Sequence, residues 1–316
     1  MSKIFKTSAL WHKKLFGAVF VIVICILFCL PTESMSRDGS QLQITDDMGD
    51  IIILDMPVSR IVSLYVGHTE NLIALGAGGS LIAIGHDTGD LGLSVPILGQ
   101  KPGIEQIVAL QPDLVLTRPM MARSQGPLYG TLKAMGIPVM ALDPPTWDGF
   151  PGYVETLRKI AGGETAKKIT LDNMIVPDNE IRHKLSVFLV AVGRTMATCT
   201  EDSWAAHILE LAGFKNAAAG ATPLAQGSVV AGFGAERLLA LGEDIDAILL
   251  QHGAMNTTSA LDFKRDPRFA SLRAVREGMV FDVSEADISR PSMLRLERGV
   301  VESLREMVYA GGRFDE

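Results

Sequence analysis

At 316 residues the chain is long enough for two domains of ordinary size or one large one. Hydrophobic content of 47 % against 21 % charged residues excludes a disordered polypeptide and predicts a well-packed globule. The formal charge is −7; residues 1–36 contribute +3, leaving −10 for the remainder, and the absence of a basic cluster argues against a nucleic-acid partner.

In chain order, Lys3, Lys6, Lys13 and Lys14 precede the apolar run "LFGAVFVIVICILFCL" (Leu15–Leu30), followed by polar "PTESMSRDGS". This pattern reads as a secretory signal over residues 1–36, and predicts a periplasmic protein. The run is shorter than the ~20 residues a spanning helix prefers, so a retained membrane anchor is the second reading. Phe28 before Cys29 and Val23-Ile24 before Cys25 are too bulky for a lipoprotein cleavage box. After cleavage near Ser36 only Cys199 remains, which excludes an internal disulfide and fits a small buried side chain.

"LQITDDMGDIIIL" (Leu42–Leu54) alternates around an Asp- and Gly-containing turn and predicts a hairpin. A strand over Ser59–Leu64, a helix capped by Thr69 and a strand over Leu81–Gly85 then make a βαβ unit. Helix Ile104–Leu110, strand Asp113–Thr117, a helix near Gly126–Met135 and strand Ile137–Asp143 continue it. Gly152–Leu185 has helical periodicity and no strand signal, with Pro177 expected to kink it. Alternation resumes with strand Ser186–Val192, helices Trp204–Ala212 and Ala235–Leu241, strand Asp246–Gln251, a helix near Ser271–Val275 and strand Met279–Ser284. One amphipathic helix, Met293–Ala310, is expected to close the chain. The predicted fold is α/β: two Rossmann-like lobes with central parallel sheets, residues 37–150 and 186–316, joined by a helical spacer over 151–185.

One corner occurs twice. "GIEQIVALQPDLVLT" (Gly103–Thr117) and "GAERLLALGEDIDAILLQ" (Gly234–Gln251) both place a Glu two residues after a Gly. Both then reach an Asp eight residues later, at Asp113 and Asp244, which suggests duplicated lobes. Each Glu also complements the partial positive charge of its own helix N-terminus.

No nucleophile elbow, phosphate loop or His-Glu-x-x-His pair is present, so the chain is not expected to be an enzyme. Open α/β sheets place ligands beyond the carboxyl ends of their strands. On that rule the cleft candidates are Tyr65 and His68, His86, Arg118, Trp147, Arg194, Trp204 and Arg290. The aromatics offer flat apolar surface and the arginines offer forked donors for carboxylate or phosphate. A second reading takes His68, His86 and Asp87 as a metal site of a metal-dependent periplasmic enzyme or metallochaperone.

With these pieces in order, "ITDDMGDIIIL…SRIVSL", "HTENLIALGAGGSLIAIG", "IEQIVALQPDLVL", "LKAMGIPVMALD" and "SRPSM", the chain resembles the periplasmic binding proteins of ABC importers for vitamin B12, ferric siderophores and haem. The resemblance implies two lobes bridged by one long helix, and a metal-chelate ligand held between them by the loop Tyr65–His68, Arg118 and Arg290. No separate cofactor is implied. It further implies that Glu105 and Glu236 dock onto arginines of the membrane permease, whose ATPase subunits drive import. "LGQKPGIE" lacks both the Tyr of the haem-binding branch and the Trp of the B12-binding branch, and Arg118 stands where an aromatic is usual, so the resemblance selects neither ligand.

Overall fold

The computed structural model describes residues 40–86, 91–162, 184–253 and 256–311. Residues 1–36, read as a signal segment, lie outside these, as do Asp87 and residues 163–183 with Pro177. Among the described residues no helix is long and apolar enough to cross a membrane.

The hairpin forms as β1 (Gln41–Thr45) and β2 (Ile51–Asp55), antiparallel, with Ile44 opposite Ile52. Its turn is organised by the Asp46 carboxylate, which accepts from the amides of Met48 and Asp50 at 2.9 Å. The same carboxylate accepts from the amide of Ala141 at 3.0 Å, so the turn is tied to the first sheet.

That sheet contains β3 (Ile61–Ser63), β4 (Leu81–Ile84), β5 (Leu114–Thr117) and β6 (Val139–Ala141), all parallel, in the order β4-β3-β5-β6. Alternation assigns the two faces. Val62, Val115 and Val139 join Ile107, Tyr129 and Leu132 on one side. Ile61, Leu114, Leu116 and Met140 point the other way, into the main core. Helices cover both faces, which explains why these strands read as unbroken apolar runs. They are α1 (Val66–Ala74), α2 (Ile104–Val108), α3 (Pro119–Ser124) and α4 (Gly126–Ala134).

Next comes α5 (Phe150–Ile160), which buries Phe150, Tyr153, Val154, Leu157 and Ile160 along one stripe. It is the described part of the predicted spacer.

The second parallel sheet contains β7 (Ser186–Val190), β9 (Lys215–Asn216), β12 (Ala247–His252) and β13 (Val280–Ser284), in the order β13-β12-β7-β9. Strands β8 (Thr198–Cys199), β10 (Thr222–Pro223) and β11 (Val230–Gly232) form a small antiparallel sheet beside it. The remaining helices are α6 (Trp204–Leu211), α7 (Ala235–Leu241), α8 (Ala260–Arg265), α9 (Arg273–Arg276), α10 (Glu285–Ile288), α11 (Met293–Glu297), which packs back onto α1, and α12 (Val300–Gly311). The fold is thus α/β with two parallel-sheet lobes, as expected.

Two local expectations are corrected. Thr69 does not cap α1; the helix begins at Val66, and the Thr69 hydroxyl donates back to Ser63 Oγ at 2.8 Å. The final helix is two, because Gly299 adopts φ +76° between α11 and α12. Helices α3 and α8 and strands β8 to β11 had no sequence signal strong enough to be assigned.

Cys199 is free and buried, and burial pushes its thiol pKa up, as suits a packed rather than reactive cysteine.

Candidate functional site

In the first sheet the chain leaves β3 toward β4 on one side, then returns to β5 and β6 on the other. The loops after β3 and β5 therefore diverge at a topological switch point, where a crevice opens beyond the strand ends. Tyr65 follows β3 and Arg118 follows β5, so both stand at this crevice. A cleft of about 410 Å³ lies there, lined from the first lobe by Tyr65, His86, Lys101 and Arg118. The second lobe contributes Glu285, Ser289 and Arg290, which follow β13. Apolar wall comes from Leu64, Val66, Pro102, Met120 and Met121.

Tyr65 is laid back over the start of α1. A Cβ on Gly67 would stand 2.4 Å from its ring, so glycine is what permits this pose. The Arg118 guanidinium then lies over the ring, 4.9 Å from its centroid. No carboxylate among the described residues forms an ion pair with Arg118, and its buried Nε has no hydrogen-bond partner. Burial pushes the Tyr65 phenol pKa up, against the lowering influence of Arg118 and Arg290, so Tyr65 offers a neutral O–H. Lys101 and Arg118 against Glu285, with Arg290 paired to the buried Glu70, leave the cleft lining net positive in an acidic protein. The combination suits a ligand with a flat or apolar body and anionic edges.

Of the residues named from the sequence, Tyr65, His86, Arg118 and Arg290 line this one cleft. His68 is not. It lies within α1, fully buried, and both ring nitrogens are occupied. Nε2 stands 3.1 Å from the Thr117 carbonyl and Nδ1 stands 2.7 Å from Tyr153 Oη. A carbonyl can only accept, so Nε2 carries the proton and Nδ1 accepts from the tyrosine. The metal reading built on His68 and His86 thus loses its first ligand. Among the described residues no group of three His, Cys, Asp or Glu side chains is placed to hold an ion.

Trp147 and Trp204 are also diverted, because their flat surfaces are spent on packing. Their rings are 4.8 Å apart, Trp147 stacks on His207 at 4.7 Å, and Trp204 meets Phe150 at 4.7 Å. Arg194, in a 3₁₀ turn after β7, is exposed and is not part of the cleft lining. Sequence reasoning missed Lys101, Met120, Met121 and Glu285. Lys101 carried no signal beyond a loop position, whereas Glu285 immediately follows a strand that was assigned and Ser289 opens the quoted stretch "SRPSM".

Glu105 and Glu236 are both exposed, each in the first turn of its helix, α2 and α7. Neither forms an ion pair among the described residues.

No family model matches the chain, and no curated protein matches it. Solved structures do. A possible iron-binding, periplasmic solute-binding protein of Staphylococcus epidermidis superposes with a TM-score of 0.63 at 21% identity, covering 80% of this chain and 99% of that one. The periplasmic haem-binding protein of Vibrio cholerae gives 0.63 at 18% identity, covering 79% and 98%. The periplasmic vitamin B12-binding protein of the same organism gives 0.55 at 19% identity, covering 81% and 98%. The chain has the two-lobed fold of these periplasmic binding proteins.

Proposed function

We propose that this chain is the exported substrate-binding component of an ABC importer, which captures an anionic metal chelate in the cleft between its lobes. The observation that carries this reading is Arg118, lying over the Tyr65 ring without a carboxylate partner, in the same cleft as Arg290 of the other lobe. A guanidinium held on a ring face keeps its N–H edge for a ligand, and a chelate's aromatic or carboxylate periphery matches both surfaces. The fold supports a non-enzymatic binding role, since the similar structures are named for binding iron, haem or vitamin B12. The N-terminal lysines and apolar run support export to the periplasm. Delivery would proceed through a permease and its ATPase subunits, with Glu105 and Glu236 as the docking carboxylates.

The test is titration of the purified protein with a trianionic ferric tris-catecholate, followed by quenching of intrinsic fluorescence. Arg118→Ala is expected to weaken binding by about 10- to 100-fold, the worth of a charge-assisted hydrogen bond. Unchanged affinity would remove Arg118 from the site and with it the main support for an anionic ligand.

A further inference from the structure

Glu70 is a charged side chain with no exposure at all, on α1 of the first lobe. Its partners come from residues 220 and 225 positions downstream, in the second lobe. Oε1 accepts from Arg295 Nε at 3.0 Å and Arg295 Nη2 at 2.8 Å, a forked pair. Arg290 Nη1 reaches the same oxygen at 3.2 Å. Oε2 is buried and has no partner. Arg295 is also paired with Asp287 at 3.0 Å.

The two arginines are thus held unequally. Arg295 is fixed by two short bonds and a second carboxylate, as a structural cation is. Arg290 has one long bond to an oxygen already occupied twice, and its side chain is 12% exposed where it lines the cleft. Losing Arg290 would leave Glu70 still neutralised by Arg295, so the usual heavy cost of stranding a buried carboxylate does not arise. Arg290 is therefore free to exchange partners.

We propose that Glu70 acts as an internal stand-in for the ligand's anionic group: it occupies Arg290 in the empty cleft, yields it to an anionic ligand, and so sets the charge preference of the site. This rests on the cleft reading above. Because apparent affinity is reduced by the fraction of protein in which Arg290 is tethered, weakening the tether strengthens binding of anions alone.

The experiment compares wild type and Glu70→Gln against two probes of similar size, the trianionic ferric tris-catecholate and a neutral ferric tris-hydroxamate. Glu70→Gln is expected to bind the trianionic probe about threefold to tenfold more tightly, with affinity for the neutral probe unchanged. The gain should vanish in an Arg290→Ala background. Should Glu70→Gln fail to fold, NMR of the Arg290 guanidinium in wild type gives the same reading: its resonances are expected to shift on adding the trianionic probe and to stay in place with the neutral one, and the absence of a shift with the trianionic probe would overturn the proposal. Failure of the trianionic probe to gain, or an equal gain by the neutral probe, would overturn the proposal and leave Glu70 as a packing residue only. Binding of the trianionic probe by wild type, weakened by Arg118→Ala, keeps the cleft reading intact in that case. If wild type binds no anionic chelate, the cleft reading fails and this proposal falls with it.

Discussion

His68 shows how much a single residue's role depends on partners remote in sequence. In "VGHTENLIA" the run Gly-His-Thr-Glu-Asn reads as a polar helix start, yet every one of these residues is buried. The contacts that bury them come from Thr117, Tyr153, Pro291 and Arg295, none of which local periodicity can reveal. Burial pushes the His68 pKa down to about 4, with the Thr117 hydrogen bond opposing. The unfolded chain takes up this proton near pH 6.5 and the folded one only near pH 4, so between these values the unfolded state binds more protons. Stability linked to His68 is accordingly full above pH 6.5 and is lost as pH falls toward 4, by roughly 3 kcal/mol. His68→Gln, which can still donate to Thr117 and accept from Tyr153, should flatten this dependence. Urea unfolding of both proteins from pH 7.5 to 4.5 measures it; parallel curves would show that His68 contributes no linked proton.

At the scale of elements, the repeated corner is real but its register differs from the sequence match. Equal spacing pairs Asp113 with Asp244, whereas the structure pairs Asp113 with Asp246. Asp113 immediately precedes β5, and its carboxylate accepts from the amides of Ser59 and Arg60 at 3.0 Å, at the entry to β3. Asp246 immediately precedes β12, and its carboxylate accepts from the amide of Ser186 at 2.6 Å, at the first residue of β7. Asp246 also pairs with Arg273. In each lobe, then, the carboxylate ties its own strand to the start of the neighbouring central strand. The 3₁₀ turn Gly242–Asp244 lengthens the second corner, which hid the equivalence from a count of positions. Asp113→Ala and Asp246→Ala are each expected to cost about 1–3 kcal/mol in denaturant unfolding, since backbone donors lose their acceptor. Asp244→Ala, whose side chain is exposed, should cost far less. Most strands and the larger helices were legible because buried parallel strands are apolar throughout and their helices carry a clear stripe. The small sheet β8-β11-β10 was not, because strands of two or three residues leave no period to detect.

For the whole molecule, the two lobes share one continuous core. Leu114, Leu116 and Met140 of the first sheet belong to the same buried cluster as Phe188, Leu189 and Leu249 of the second. Phe150 and Tyr153 of α5 close the gap, Phe150 packing on Trp204 and Tyr153 bonding to His68. Such a seam, with Asn71 also donating to Pro291 at 2.9 Å, resists large movement of one lobe against the other. On the importer role proposed above, a binding component that moves little on capture would need a fixed signature by which the permease engages both lobes at once. Glu105 and Glu236 would meet that need in position: each is exposed on a different lobe, and each opens the helix that leads into the repeated corner. A pair of unneutralised carboxylates would also raise the encounter rate with a basic permease surface, and would do so less at high salt. Glu105→Arg combined with Glu236→Arg should therefore abolish transport in a reconstituted importer while affinity for the trianionic ferric tris-catecholate stays at the wild-type value. Each single variant should retain part of the activity, because one lobe still engages. Loss of ligand binding in the double variant would place these residues in the fold's support rather than in docking, and unimpaired transport would show that the permease reads another surface.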